Sequence, residues 1–184
     1  MNFESRLIAI MEKWEKKQDR EFSSTQVDLP GDIADKLSVF ASTISKEDLA
    51  NDGVEDNSHI TVKFGLHTNN PDEVRPLLED EPPVILTLGK MGIFRANENR
   101  DSDVLIINID SEDLHRLNKK IRDNLECTDT YPTYKPHATI AYLKPGRADN
   151  YVSDDFEGIG VTVDFITFSG KDRKKMKLKL GGCI

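Results

Sequence analysis

Two short stretches of the chain carry the same pair of reactive side chains. His59-Ile60-Thr61-Val62-Lys63-Phe64-Gly65-Leu66 reads as a β-strand rich in β-branched and aromatic residues, and its pattern returns as His137-Ala138-Thr139-Ile140-Ala141-Tyr142-Leu143. Alternate residues of a strand share a face, so His59 lines up with Thr61 and His137 with Thr139. Ile60, Val62 and Phe64 then turn toward a core, as do Ala138, Ile140 and Tyr142. Imidazole has an unperturbed pKa of about 6.5, so its neutral and protonated forms are both accessible near neutral pH. Two imidazoles and two hydroxyls converging on one point suit phosphodiester chemistry without a metal. One imidazole takes a proton from the attacking oxygen, the other gives one to the leaving oxygen, and the threonines hold the phosphate oxygens. A lone His-x-Thr is more often structural than reactive; the repeat in matched contexts sets these two apart from His67, in a loop, and His115, on an exposed helix face.

Other residues are placed to assist. The loop Tyr131-Pro132-Thr133-Tyr134-Lys135-Pro136 runs straight into the second motif, so Tyr134 is expected to stack on a base and Lys135 to attract a phosphate. By alternation Lys63 shares the His59 face and adds positive potential there. Arg95 and Arg100 lie in a polar turn and are weaker phosphate candidates. The basic run from Lys171 to Lys179 fits either a strand beside an anionic substrate or a solvated edge strand kept from aggregating by its lysines. Asp101, Asp103, Asp154 and Asp155 fall in loops with no histidine beside them, so neither a metal site nor a cofactor is expected.

The bulk composition narrows the partners. A chain of 184 residues with 37% hydrophobic content supports one domain of two small lobes. A net charge of −8 argues against a general grip on long nucleic acid, which depends on neutralising phosphates, and leaves a nucleotide or short oligonucleotide as the expected ligand. No run of about 18 apolar residues and no signal-like N-terminus is visible, so a soluble, cytoplasmic protein without membrane contact is expected. Cys127 and Cys183 make no disulfide framework.

The motifs need elements to hold them. Phe3, Leu7, Ile10, Met11 and Trp14 recur at helical spacing, so residues 1–21 read as an amphipathic extension, with self-association or a partner as its use. Ser23 to Leu29 reads as a strand, followed by a helix capped by Asp32 with Ile33, Leu37, Phe40 and Ile44 on one face. A short helix and a mobile loop are expected over residues 45–58, and a further helix from Asn70-Pro71 to about Glu79. Val84 to Phe94 and Val104 to Ile109 read as a hairpin with possible bulges at Gly89 and Gly92. Ser111 opens a helix marked by Leu114, Leu117, Ile121 and Leu125. Lys144 to Gly158 reads as a lid-like loop. Ile159 to Ser169 and Asp172 to Leu180 follow as a terminal hairpin, and residues 181–184 as a frayed tail. The order β-α-β-α-β-β-α-β-β-β is an α+β pattern of mainly antiparallel sheets.

Over residues 22–180 the sequence resembles the 2H phosphoesterase superfamily, also called 2′-5′ RNA ligase-like proteins and named for two His-x-Thr/Ser motifs. Ser24-Thr25-Gln26-Val27-Asp28-Leu29-Pro30 and Tyr134-Lys135-Pro136-His137 are similar to segments of its phage and prophage branch. The resemblance implies a two-lobed α+β fold, its sheets lining a central groove and its helices outside. It also implies metal-independent cleavage or hydrolysis of 2′,3′-cyclic, 2′-5′ or 3′-5′ phosphodiester bonds by His59, Thr61, His137 and Thr139. Some phage relatives degrade cyclic oligonucleotide signals of bacterial defence. The alternative is a non-catalytic module that sequesters a nucleotide or serves phage assembly. Which histidine is base and which acid stays open.

Overall fold

The computed structural model describes residues 20–129 and 131–181. The amphipathic extension expected over residues 1–21 and the tail expected over 181–184 lie outside these residues, except for Arg20, Glu21 and Gly181. No helix among the described residues is long and apolar enough to cross a membrane.

Two β-α-β units form the centre. The first contains β1 (Ser23–Asp28), α1 (Gly31–Ser42), β2 (Leu49–Val54) and β3 (His59–Leu66). The second contains β4 (Val84–Phe94), β5 (Asp103–Asp110), α2 (Glu112–Asn124) and β6 (His137–Leu143), and β7 (Gly160–Val163), β8 (Phe165–Ser169) and β9 (Lys175–Lys179) complete the chain. All the strand pairings are antiparallel, in one curled sheet of order β7-β4-β5-β6-β3-β1-β8-β9, with β2 also paired to β6. The two lobes are therefore halves of a continuous sheet, and they meet where β3 pairs with β6 at Ile60 and Ala138.

The helices follow from their apolar stripes. Ser111 caps α2 by accepting a hydrogen bond from the Leu114 amide at 3.2 Å, and Leu114, Leu117 and Ile121 bury one face. Glu112 and Asp113 in its first turn and Arg122 in its last suit the helix dipole. α1 begins after Pro30, whose fixed φ suits a helix entry, and Asp32 lies in its first turn rather than at its cap. α1 packs on β6, while α2 packs on β3 and β4, so each helix ties its own unit to the other. The apolar sides of both central strands, with Val27, Leu105, Ile107 and the helix stripes, join a single core cluster.

Several elements differ from the sequence expectation. The helix expected before β3 is a turn ending at Asp48, after which β2 takes up the edge of β6 at Leu143 and Ala141. Its polar sequence hid it, because the hydrogen bonds of an edge strand need no apolar face. Asn70 to Glu79 makes two 3-10 turns, Pro71–Glu73 and Arg75–Leu77, because Pro76 lacks the amide a continuous helix requires. Gly89 spans a register shift between Leu88 and Met91, whereas Gly92 stays in register with Ile106. The run from Ile159 to Ser169 breaks at Asp164: β7 pairs with β4 in one half and β8 with β1 in the other, leaving β8 and β9 as the hairpin. The loop after β6 is tied down rather than lid-like. Gly146 donates to buried Asp103 at 2.9 Å, Tyr151 donates to Asp48 at 2.8 Å, and Phe156 packs edge-on against Phe40.

Candidate active site

The two motif strands share a backbone irregularity that aims their side chains. In the first unit Asp28 faces His59 and Gln26 faces Thr61, but the next partner, Thr25, faces Lys63, leaving Val62 as an extra residue. In the second unit Asn108 faces His137 and Ile106 faces Thr139, but Leu105 faces Ala141, leaving Ile140 extra. A one-residue bulge exchanges the faces of everything beyond it. Phe64 and Tyr142 therefore join the His/Thr face, while Lys63 and Ala141 turn to the core side. The expected placement of Lys63 beside His59 is overturned: it is 5% exposed, on the opposite face, and ion-paired with Asp129.

Around the Ile60–Ala138 pair, the antiparallel register sets His59 beside Thr139 and Thr61 beside His137. The four residues occupy the corners of a square, with the imidazoles on one diagonal and the hydroxyls on the other. Diagonal neighbours of this kind lie about 7–8 Å apart between backbones, which leaves room for a phosphate between two side chains. All four are half-buried, whereas Ile60 and Ala138 between them are fully buried on the far side. β2 occupies the edge of β6 beyond Ala138, so β3 diverges from β6 there and the groove opens.

Each imidazole is held the same way. His59 Nδ1 lies 2.7 Å from the Asn57 carbonyl and His137 Nδ1 lies 2.7 Å from the Lys135 carbonyl, in both cases two residues upstream. A carbonyl only accepts, so Nδ1 carries the hydrogen and Nε2 is left to exchange protons with a substrate. Both bulges are also anchored. The Ile140 carbonyl accepts from the Glu55 amide at 2.9 Å, and the Val62 carbonyl accepts from the side-chain amide of Asn118 on α2 at 2.6 Å.

Tyr134 donates to the Thr61 carbonyl at 2.8 Å, and the edge of His115 meets its ring at 5.3 Å. Burial pushes its phenol above the ordinary range, so it remains a donor. The geometry thus gives Tyr134 a hold on the His59 strand rather than a free ring for stacking; Tyr131, in the same loop, is 69% exposed. Lys135 is exposed beside the groove, and its carbonyl orients His137. Asn118 went unnoticed in the sequence. The available signal was an amide beside Leu117, on the buried stripe of a helix.

The surroundings of the two histidines differ. Burial is the main cause that lowers the His137 pKa, with the positive charges of His59 and Arg100 acting in the same direction and the Lys135 carbonyl opposing them. The Phe94 ring meets His137 edge-on at 4.8 Å, and the Arg100 guanidinium lies 5.4 Å from the centre of that same Phe94 ring. On the same face, β5 contributes Val104 and Ile106. On the His59 side, β1 contributes Ser24, Gln26 and Asp28, and β8 contributes Thr167 and Ser169 in register with them. Asp28 accepts from Gln26 at 2.5 Å and from Thr167 at 2.6 Å. The same register continues onto β9, where Lys175, Lys177 and Lys179 stand opposite Ser169, Thr167 and Phe165. The lysine row is thereby on the His59 face of the sheet.

A curled antiparallel sheet carrying two matched His-x-Thr strands defines a class, and sequence comparison agrees. Residues 50–174 match the 2′-5′ RNA ligase superfamily, and the chain belongs to that superfamily. TT0787 of Thermus thermophilus has a similar fold, with a TM-score of 0.62 at 18% identity over 88% of this chain and 98% of that one. Escherichia coli LigT in its apo form gives 0.56 at 17% identity, over 88% and 96% of the two chains. Usb1 of Kluyveromyces marxianus gives 0.55 at 10% identity, over 88% and 99%. No curated protein sequence matches the chain.

Proposed function

We propose that the protein is a metal-independent phosphodiesterase of the 2H type, acting on 2′,3′-cyclic, 2′-5′ or 3′-5′ bonds of small, including cyclic, oligonucleotides. The observation that carries this reading is the pair of imidazoles on one face, each with Nδ1 committed to a carbonyl and Nε2 left over. His137, whose pKa is lowered chiefly by burial, is the general base, because it stays neutral near pH 7. Its Nε2 takes the proton of a ribose hydroxyl or of water, the freed oxygen bonds to phosphorus, and the bond from phosphorus to the departing ribose oxygen breaks. His59 Nε2–H protonates that departing oxygen. Thr61 and Thr139, at the other corners, donate to the non-bridging oxygens as charge builds on them. Lys135 draws the phosphate toward His137. Degradation of a cyclic oligonucleotide defence signal is one use of such chemistry.

The test is product chromatography with chelator present, on a panel of 2′,3′-cyclic nucleotides, 2′-5′ oligoadenylate, 3′-5′ dinucleotides and cyclic di- and trinucleotides. Turnover that is lost in both His59→Ala and His137→Ala is the expected result. Ligand bound and recovered intact across the whole panel would instead identify a sequestering module.

A further inference from the structure

With the phosphate between His59 and His137, as in the reading above on which this inference rests, a nucleoside on the His137 side meets a second feature. Beyond Thr139, the next groove-facing side chain of β6 is Tyr142, paired with Val104 of β5. Across the bulge, Tyr142 and Thr139 stand opposite Val104 and Ile106, two residues apart on β5 and so roughly 7 Å, close to the span from a ribose hydroxyl to the centre of its base. Tyr142 and Val104 floor an open cavity of about 520 Å³, whose walls include Arg100, Asp52, Glu98 and Asp101. A smaller cavity of about 210 Å³ adjoins it and shares Asp52 and Asp101. The larger volume is in the range that holds a nucleoside.

The walls discriminate among occupants. Tyr142 supplies an aromatic surface, and the Arg100 guanidinium, held over Phe94 at 5.4 Å, supplies a planar cation at the end nearest His137. A phosphate is disfavoured inside, since three carboxylates oppose one guanidinium. Ionised carboxylates accept hydrogen bonds and cannot donate them. A base with an exocyclic amino group offers them donors at that position, whereas uracil offers only its N3–H and turns its 4-carbonyl toward a lining in which three carboxylates stand beside the donors of Asn97, Asn99, Ser102 and Arg100.

We propose that this cavity is a base-recognition subsite, which seats the nucleobase of the nucleoside activated by His137 and selects amino-bearing bases over uracil. Cytosine and uracil make the decisive pair, because they share a shape and differ in that amino group. The experiment compares kcat/KM for CpU, GpU, ApU and UpU, in the linkage that the protein cleaves, for wild type and for the Asp52→Asn, Asp101→Asn double variant. Alongside it, cytidine and uridine are titrated while the Tyr142 ring resonances are followed by NMR. The expected result is a preference of about tenfold for CpU over UpU, reduced to near parity in the double variant as CpU cleavage slows and UpU cleavage rises. Equal rates on CpU and UpU in the wild type would overturn the subsite while leaving the phosphodiesterase reading intact. If no dinucleotide is cleaved, the phosphodiesterase reading fails for linear bonds and is decided for cyclic ones by the panel above, and the titration still decides the cavity. Cytidine moving the Tyr142 signals more than uridine supports the subsite; equal or absent shifts overturn it.

Discussion

The two halves of the sheet share a backbone and differ in what they present to the groove. β1 with β3 and β5 with β6 have the same register, the same bulge directly after the threonine and the same carbonyl on Nδ1. Around His59 that frame is lined with Ser24, Gln26, Asp28 and Thr167, and ends at the lysines of β9. Around His137 it is lined with Phe94, Val104, Ile106 and Tyr142, and ends at an acid-walled cavity. The repeated part aims an imidazole at a common point. The part that differs sets the kind of substrate group beside that imidazole and, at His137, lowers its proton affinity.

The largest expected effect tests the shared part. His59→Ala and His137→Ala should each lower kcat by about 10²–10⁴-fold, and the double variant should be little worse than either, because the two imidazoles serve one step. A variant that loses one histidine and keeps most of its rate would end the equivalence of the halves. Next come the bulge anchors, which are not equivalent. Asn118→Leu strips the Val62 carbonyl of its partner, and should cost about 1–3 kcal/mol in urea unfolding while slowing turnover through the His59 strand. The Ile140 bulge is held by a backbone amide and has no side chain to remove. Asn118→Leu at wild-type stability would mean that the bulge is set by the sheet alone.

Acidity separates the halves next. Because the folded state lowers the His137 pKa, the unfolded chain binds its proton more readily. Wild type should therefore lose stability as pH falls from about 6.5, the unfolded value, toward the lower folded pKa, and His137→Gln should lose less over that window. The acid limb of kcat/KM should lie below pH 6.5. Arg100→Gln should move the limb upward by removing a positive charge near the ring, an effect separate from any rise in KM through the cavity that Arg100 lines. An acid limb that is absent from the pH profile of wild type, rather than one indifferent to Arg100, would transfer the base role away from His137, because burial is the larger cause of its lowered pKa.

How much of this was legible depended on the length of chain over which a pattern runs. His59 with Thr61 and His137 with Thr139 need alternation to hold for only three residues, and it does. Lys63 needs it for five, and Val62 intervenes as a bulge residue that looks like any other strand residue in the sequence. The same shift carried Phe64 and Tyr142 from the expected core into the groove, and with Tyr142 went the cavity beside it. Tyr134 was visible as an aromatic near His137, but its hydrogen bond crosses to the Thr61 carbonyl of the other half, a contact no local pattern encodes. The antiparallel α+β architecture was readable from element order. Its fusion into one sheet depended on β2 and on the break at Asp164, both set by pairing partners far away in sequence.

The smallest expected effect concerns the cationic end of the His59 half. Lys175, Lys177 and Lys179 are exposed and stand three strands from His59 on the same face, about 14 Å away at the usual strand spacing. That distance suits phosphates one or two nucleotides beyond the reacting one, so their benefit should grow with substrate length. Replacing all three with Gln should leave a dinucleotide cleaved at its normal rate, and should weaken a pentanucleotide several-fold at low salt. The salt dependence of pentanucleotide binding should flatten by about 0.7 in log–log slope for each phosphate that the lysines no longer neutralise. Edge lysines that only keep β9 from pairing with another chain would give a different result: unchanged kinetics at every length, with aggregation of the triple variant. The first outcome makes the halves complementary, one reading a base and the other following a backbone; the second confines recognition to the His137 side.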